Sequence, residues 1–393
     1  STEAGKKRAA KGNLEAIRTL KKLQAEGRLD QATPAEQKIL SRWVGWGALG
    51  KAVDYAMAKN YESYERYGAD ATRYMSEEAR KWGEEWLEIH KQIRDEIGEE
   101  GLRKAKASTI NAHYTAPDVV SSIWGMLTER FGFKGGAILE PSAGSGLFFG
   151  LMPEAVRSQS SLTGVELEPF TADLLRALYP EADIHKGGYQ DAKIPSNSVD
   201  LIVGNVPFDE STRIEGMALH NFFFKRGIEQ LKPGGIMAAI TSTGTMDAMN
   251  PSHRKIIGES ADLVGAIRLP NNAFSKNAGT QVTTDILVFR KRQGGQRFEG
   301  AQPWTGTVDL AIGDNREGKE VVVHMNEYWS RNPEQILGVP VVNTMYRDGG
   351  GQTVGTGLRV YAGDRVSDLL SAASDASLLV TNLSNSAVVR LIE

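Results

Sequence analysis

Six short apolar runs between residues 137 and 289 constrain the fold more than any other feature of this 393-residue chain. They are AILEPS (137–142), LTGVEL (162–167), VDLIVGN (199–205), GGIMAAITS (234–242), LVGAIRL (263–269) and TDILVF (284–289). Each is too short for a typical helix and rich in Val, Ile and Leu, as strands covered on both faces are. Stretches with helical spacing lie between them, among them Pro169 to Leu178 and Leu219 to Leu231. Strands alternating with helices predict an α/β fold around a doubly wound sheet. Open sheets of that kind bind ligands beyond the carboxyl ends of their strands, so the residues that follow each run are the ones to inspect.

No β pattern precedes position 137, and residues 1–106 read as a helical N-terminal domain. Leu14, Ile17, Leu20 and Leu23 recur every three residues, giving an amphipathic helix. Its outer face carries Lys6, Lys7, Arg8, Lys11, Arg18, Lys21, Lys22 and Arg28. That charge reads either as a solvated face or as an arm contacting phosphates, with the former the plainer choice. Thr33-Pro34-Ala35-Glu36 is a capping box with proline at the first helical position. Tyr55, Tyr61, Tyr64, Tyr67 and Tyr74 alternate with basic residues. They suit helix packing better than the alternative, a platform for single-stranded bases. Residues 77–106 predict a long charged helix with Trp82 and Trp86 on one side. Residues 107–293 form the α/β core, and 294–393 read as a mixed α/β accessory region without identifiable chemistry.

Composition removes several classes of function. With no cysteine, disulfides, thiolate-ligated metals and cysteine nucleophiles are excluded. The balance of 46 Lys and Arg against 49 Asp and Glu gives no global basic field. Nothing resembles a signal peptide or a long apolar span, so a soluble, cytoplasmic protein with no membrane partner is expected. Ser1 stands where a methionine would, as in a processed chain or a fragment of a longer parent with further domains.

Three strand ends carry chemistry. Glu140-Pro141-Ser142-Ala143-Gly144-Ser145-Gly146 follows the first run, and its small residues let a ligand approach the backbone. A dinucleotide fingerprint would place glycine at 149, where the chain has Phe149. Glu140 would also repel a pyrophosphate and instead suits a cation. Glu166 ends the second run, twenty residues after Gly146, where an acid takes ribose hydroxyls. The third run ends in Asn205-Val206-Pro207-Phe208. Pro207 has no N–H and holds its predecessor extended, so the corner presents an amide, two rigid residues and a ring. Taken alone, it is equally readable as a strand-terminating turn.

In this order, EPSAGSG, Glu166 and NVPF resemble motifs of the S-adenosylmethionine-dependent N6-adenine DNA methyltransferases of the gamma class. AHYTAPDVVSSIW (112–124), LKPGG (231–235) and IRLPNNAF…TQVTTDILVF (267–289) resemble that family's flanking motifs. RWVGWGAL (42–49) is similar to the segment preceding the methylase in large phage- and plasmid-borne methylase–helicase proteins. Unlike them, the chain has no Gly-x-x-x-x-Gly-Lys-Ser/Thr loop. The resemblance implies a Rossmann-like class I methyltransferase sheet of seven strands, with S-adenosyl-L-methionine as cofactor and no metal at the site.

Residue by residue, the resemblance implies that Tyr114, Thr115 and Pro117 lie over the cofactor's methionine end. Thr115 would also cap the following helix. Glu140, Pro141, Ser142, Gly144 and Gly146 would line the methionine pocket, and Glu166 would hold the ribose. Asp191 would meet the adenine amino group, although Gln190 is an alternative and a surface loop carboxylate another. Asn205, Val206, Pro207 and Phe208 would form the catalytic corner, with Asn205 also beside the cofactor. Phe208 and Phe274 would stack on a flipped target base. The family's usual corner is Asn-Pro-Pro-aromatic, and Val206 replaces the first proline. The expected function is methylation of adenine N6 in DNA with low or short-site specificity, in restriction–modification or anti-restriction. RNA or protein-amide methylation on the same fold stands as an alternative, as does an inactive DNA-binding module.

Overall fold

The computed structural model describes residues 2–66, 74–111, 115–207, 212–270, 283–314, 320–337, 339–347 and 353–361. All six apolar runs form strands of one seven-stranded sheet: β1 (Ala137–Glu140), β2 (Ser161–Glu166), β3 (Asp183–Lys186), β4 (Val199–Asn205), β5 (Leu231–Ser242), β6 (Ala261–Leu269) and β7 (Thr284–Lys291). The order is β3-β2-β1-β4-β5-β7-β6. Pairs from β3 to β5 are parallel, and β7 runs antiparallel to both β5 and β6.

The strand that the apolar pattern did not mark is β3, whose sequence is Asp-Ile-His-Lys. It is an edge strand with Asp183 and Lys186 exposed, so nothing forces an apolar run there. The start of β5 also lies three residues earlier than the glycines suggest, at Leu231. Between the pairs Val199–Leu231 and Leu201–Ile236 the register shifts. Pro233 and Gly234, with φ at 82°, sit in that irregular stretch, where a residue lacking an N–H is tolerated.

Helix Leu219–Gln230 buries Phe222, Phe223 and Phe224 in the core with Leu139, Val165, Ile202, Met237, Leu287 and Phe289. Trp304, Met325, Tyr328 and Trp329 join the same core. They belong to the C-terminal region, where β8 (Thr307–Asp314), β9 (Glu320–Asn326), β10 (Val339–Arg347) and β11 (Thr353–Tyr361) pair in the order β8-β9-β11-β10. Arg268 on β6 is completely buried opposite Asp285 on β7, to which it donates two hydrogen bonds of 2.8 and 2.9 Å. Its Nη1 lies 2.8 Å from Asp247, and its guanidinium stacks on Trp329 at 4.6 Å.

The described chain divides into two compact units, and the sheet belongs to one. The other comprises the described part of Ser1–Tyr114 together with Phe170–Pro180. In it, α1 (Glu3–Ala25) buries Leu14, Ile17, Leu20 and Leu23, as their spacing requires. Arg18 and Lys21 both pair with Glu96, while Lys22 and Arg28 pair with Glu36. These four cations of the basic face are therefore committed to carboxylates of their own unit, which favours the solvated-face reading for them. The capping box forms as read: Thr33 Oγ1 accepts from Glu36 N, and the Glu36 carboxylate accepts from Thr33 N, at the start of α2 (Pro34–Leu40). Tyr55 and Tyr61 of α3 (Tyr55–Arg66) pack on the helical core, and Tyr67 lies outside the described residues. The long helix α4 (Glu77–Asn111) buries Trp82 and Trp86 and breaks at Gly98, where φ is 70°.

Close approach of α3 and α4 depends on Gly83. A Cβ there would fall 2.0 Å from Tyr61 Cε2. Alanine is favoured over glycine inside a helix by about 1 kcal/mol, whereas forcing a group into packed space costs about 1–3 kcal/mol. The steric term is the larger, so Gly83→Ala should lower the thermal unfolding midpoint; an unchanged or higher midpoint would show that the helices can separate freely.

Candidate active site

Every parallel strand from β1 to β5 ends at the same sheet edge, which brings the three sequence-marked strand ends together. The β1 end carries Glu140, buried, and the following turn closes on itself through Gly146 N donating to Ala143 O at 2.8 Å. Gly144 and Gly146 have φ of 54° and 78°, in the left-handed region that favours glycine. A Cβ at Gly144 would meet no heavy atom within 4 Å, so its backbone borders open space. The helix that opens there, Leu147–Gly150, is a single turn. Ser142 is half-buried in the turn, and Pro141 is buried.

Glu166 at the β2 end holds the turn from the side. Its carboxylate accepts hydrogen bonds from Gly144 N at 2.8 Å and from Glu168 N at 2.9 Å. Burial pushes its carboxyl up, and these backbone donors oppose that shift by favouring the charged form. Glu140 has no such help. Burial, and then the negative charge of Glu166, push it well above the ordinary carboxylate range. Its Oε2 is buried without a hydrogen-bond partner among the described residues. Two nearby carboxyls thus sit in environments that separate them: backbone donors favour the charged form of Glu166, whereas Glu140 Oε2 has no donor among the described residues. A ligand with a cationic nitrogen or sulfur and a vicinal diol matches this donor set; a pyrophosphate does not.

The β4 end lies alongside. A Cβ at Gly204 would be 3.6 Å from Glu140 Cγ and 3.7 Å from Pro141 Cδ, which places this strand's end against the β1 turn. Asn205 pairs with Ile240 of β5 in the sheet register, and Asn205 Nδ2 donates to Thr115 Oγ1 at 3.2 Å. Val206 is buried, and its N–H donates to Ile240 O at 2.9 Å. A proline here could not make that bond. The backbone tether therefore replaces part of the rigidity that a proline ring supplies. Pro207 is half-buried at the end of the described corner.

One expectation needs correction. Thr115 does not cap the helix Pro117–Gly125; the capping position is Ala116, and no side chain caps it. Proline takes the first helical position, which puts Thr115 one residue too far out, and its hydroxyl is engaged by Asn205 instead. Pro117 begins that helix beside the site. Asp191 is exposed on the turn after β3, accepting from Gln190 Nε2 at 3.0 Å. Tyr189, buried between Phe222 and Phe223, anchors this turn. Tyr114, Phe208 and Phe274 lie outside the described residues. Leu167 was not singled out from sequence, yet it stands 71 % exposed directly after Glu166. A large apolar side chain in water at a ligand edge offers a face for a flat ring, and the signal was its place as the last apolar residue of the run.

No protein-family model matches the chain. A curated relative, the Defense against restriction protein B of Escherichia phage P1, is 27 % identical over 205 residues, covering 49 % of this chain and 9 % of that protein. The chain therefore spans about a tenth of that relative's length. A second, the rRNA N(6)-adenosine-methyltransferase metl-5 of Caenorhabditis elegans, is 22 % identical over 213 residues, covering 49 % of this chain and 92 % of that one. Among solved structures, a type I restriction–modification methyltransferase subunit from Streptococcus thermophilus superposes with a TM-score of 0.41 at 17 % identity, covering 62 % of this chain and 60 % of that chain. The sheet has the seven strands that the resemblance implied, and its β7 runs antiparallel to both neighbours. The chain has the class I methyltransferase fold and, over about half its length, is similar in sequence to a phage restriction-defence protein.

Proposed function

We propose that this chain binds S-adenosylmethionine at the β1–β2 edge and transfers its methyl group to the exocyclic N6 of adenine in DNA. The observation that carries the reading is the meeting, at one sheet edge, of a buried carboxyl pair with an amide fixed at a strand end. The cofactor supplies an electrophilic methyl carbon on a sulfonium. Glu140 would compensate positive charge, Glu166 would take the ribose hydroxyls, Gly144 and Gly146 would admit close approach, and the exposed Leu167 would offer a face to the adenine ring. Asp191 is assigned the adenine amino group.

An exocyclic amine on adenine is a weak nucleophile because its lone pair is shared with the ring. Asn205 Oδ1 and the carbonyl of Val206 or Pro207 accept its two hydrogens and favour the pyramidal nitrogen that attacks. The amine's proton would pass to solvent once the nitrogen has taken the methyl group, so this corner needs no strong base. Phe208 and Phe274 are assigned to either face of a base turned out of the duplex. The adenosine of structured RNA is the second reading, favoured by the nematode relative's covering match.

Labelled methyl transfer onto unmethylated DNA, RNA and protein, side by side, tests the proposal. Label is expected in DNA, at scattered or very short sites when the adenines are mapped. Label in RNA or protein alone would overturn the DNA assignment.

Glu140 adds a pH signature. Being pushed up by burial, it is protonated in the free protein over part of the accessible range and must ionise to meet a cation. Cofactor affinity should therefore rise with pH, by up to about tenfold per unit for one linked proton, and level off above the free protein's pKa. The free fold behaves oppositely: stability from this group is full below the ordinary carboxyl range and falls as pH rises through the raised pKa. Glu140→Gln should flatten the affinity profile in calorimetric titrations; an unchanged slope would remove Glu140 from the cation's surroundings.

A further inference from the structure

We propose that Gln230 is a positioning residue that fixes, from inside the core, the turn carrying Asp191 towards the cofactor's adenine. This rests on the reading of Asp191 as the partner of the adenine amino group. Asp191 is exposed on the turn after β3. A carboxylate on a free loop selects little, because it follows whatever group it meets and loses freedom in doing so. The residues around Asp191 are not free. Two side chains of the helix Leu219–Gln230, four positions apart and so on one face, tie the turn at three points.

Gln230 makes two of the ties. Its Nε2 donates to Ile194 O at 3.2 Å, and its Oε1 accepts from the Tyr189 hydroxyl. A carbonyl oxygen can only accept, so Ile194 settles which end of the amide faces which partner. The Tyr189 hydroxyl must then donate, and burial, which pushes it up, keeps it protonated. One helical turn earlier, Arg226 Nη2 donates to Ala192 O at 3.2 Å, and its guanidinium lies 5.9 Å from the centre of the Tyr189 ring. Asp191 is thus held from both sides, by Tyr189 before it and by Ala192 and Ile194 after it. Tyr189 and Gln230 are each 2 % exposed, and Phe222 and Phe223 pack on the Tyr189 ring. Polar groups buried this way are costly to leave unpaired, so one position of the turn against the helix is strongly favoured. Asp191 N donates to Gly188 O at 3.0 Å, and Asp191 Oδ2 accepts from Gln190 Nε2, also at 3.0 Å, so the carboxylate moves with its turn.

A fixed carboxylate distinguishes two purines that a mobile one does not. Adenine presents an amino donor at the position where hypoxanthine presents a carbonyl oxygen, and a carboxylate can only accept. Held in place, Asp191 binds the first and repels the second. Released, it turns away from the second and the distinction shrinks.

The test reads one ratio on the full chain, the dissociation constant of S-inosylhomocysteine over that of S-adenosylhomocysteine, by calorimetric titration. Any unfolded fraction weakens both alike and cancels, so a merely structural role leaves the ratio unmoved. The wild-type ratio should be on the order of tenfold or more, and Asp191→Ala should bring it to near unity. Gln230→Met, which keeps the volume and removes both ties, should lower the ratio by about threefold or more. Tyr189→Phe, which removes one tie and keeps the ring, should fall between Gln230→Met and the wild type. Retention of the wild-type ratio in Gln230→Met overturns the positioning role alone; should that variant not fold, Tyr189→Phe decides by the same criterion. An Asp191→Ala protein with the wild-type ratio removes Asp191 from the adenine, and wild-type protein that binds neither compound sinks the parent reading.

Discussion

Asn205→Ala should lower methyl transfer at saturating cofactor by on the order of 10²–10³-fold and leave S-adenosylmethionine affinity nearly unchanged, because only the transition state gains from this acceptor. The asymmetry follows from the geometry. The buried groups proposed to compensate and position the cofactor, Glu140 and Glu166, lie on β1 and β2, whereas Asn205 ends β4. Removing its side chain takes away one of the two acceptors proposed for the amine and spares the carboxyl pair. Val206 and Pro207 keep their carbonyls, so a residual rate from positioning alone is expected. Calorimetry and single-turnover kinetics separate the two effects; parallel loss of binding and rate, with an altered unfolding midpoint, would indicate that Asn205 is chiefly structural.

The second large effect concerns stability. Arg268→Met should destabilise the protein by about 3–5 kcal/mol, since it strands carboxylates that the guanidinium now neutralises. Asp285 is completely buried and depends on Arg268 for two hydrogen bonds. Asp247 is mostly buried; it contacts Arg268 and also accepts from Asn326 N at 3.0 Å. The Arg268 guanidinium further covers Trp329, so one side chain joins β6, β7, the turn after β5 and the C-terminal region. Replacing both members, as in Arg268→Met with Asp285→Leu, should recover much of the loss, because a buried pair is worth little against apolar residues of similar volume. Urea unfolding measures both. A cost below about 1 kcal/mol for the single variant would mean that water reaches the cluster.

How legible this was from sequence depends on the range of the interactions. The six apolar runs announced their strands because each is buried by the sheet's own geometry, whereas β3 stayed silent as a half-exposed edge. Glu140, the glycine turn, Glu166 and Asn205 could be picked out because each directly follows such a run. What those groups experience could not. The lack of a donor for Glu140 Oε2 among the described residues and the backbone donors to Glu166 depend on how separate strand ends meet. Thr115 shows the limit most clearly. Its local pattern suggested a helix cap, but a partner 90 residues away claims its hydroxyl. The basic face of α1 likewise looked open until Glu96 and Glu36 were brought beside it.

Nucleoside mass spectrometry of DNA treated with the protein and S-adenosylmethionine tests the central claim most directly, with Asn205→Ala run in parallel. N6-methyldeoxyadenosine is predicted to accumulate with the wild-type chain and to fall on the order of a hundredfold or more with the variant. Methylation of cytosine in place of adenine, or equal yields from both proteins, would contradict the assignment of the Asn205 corner.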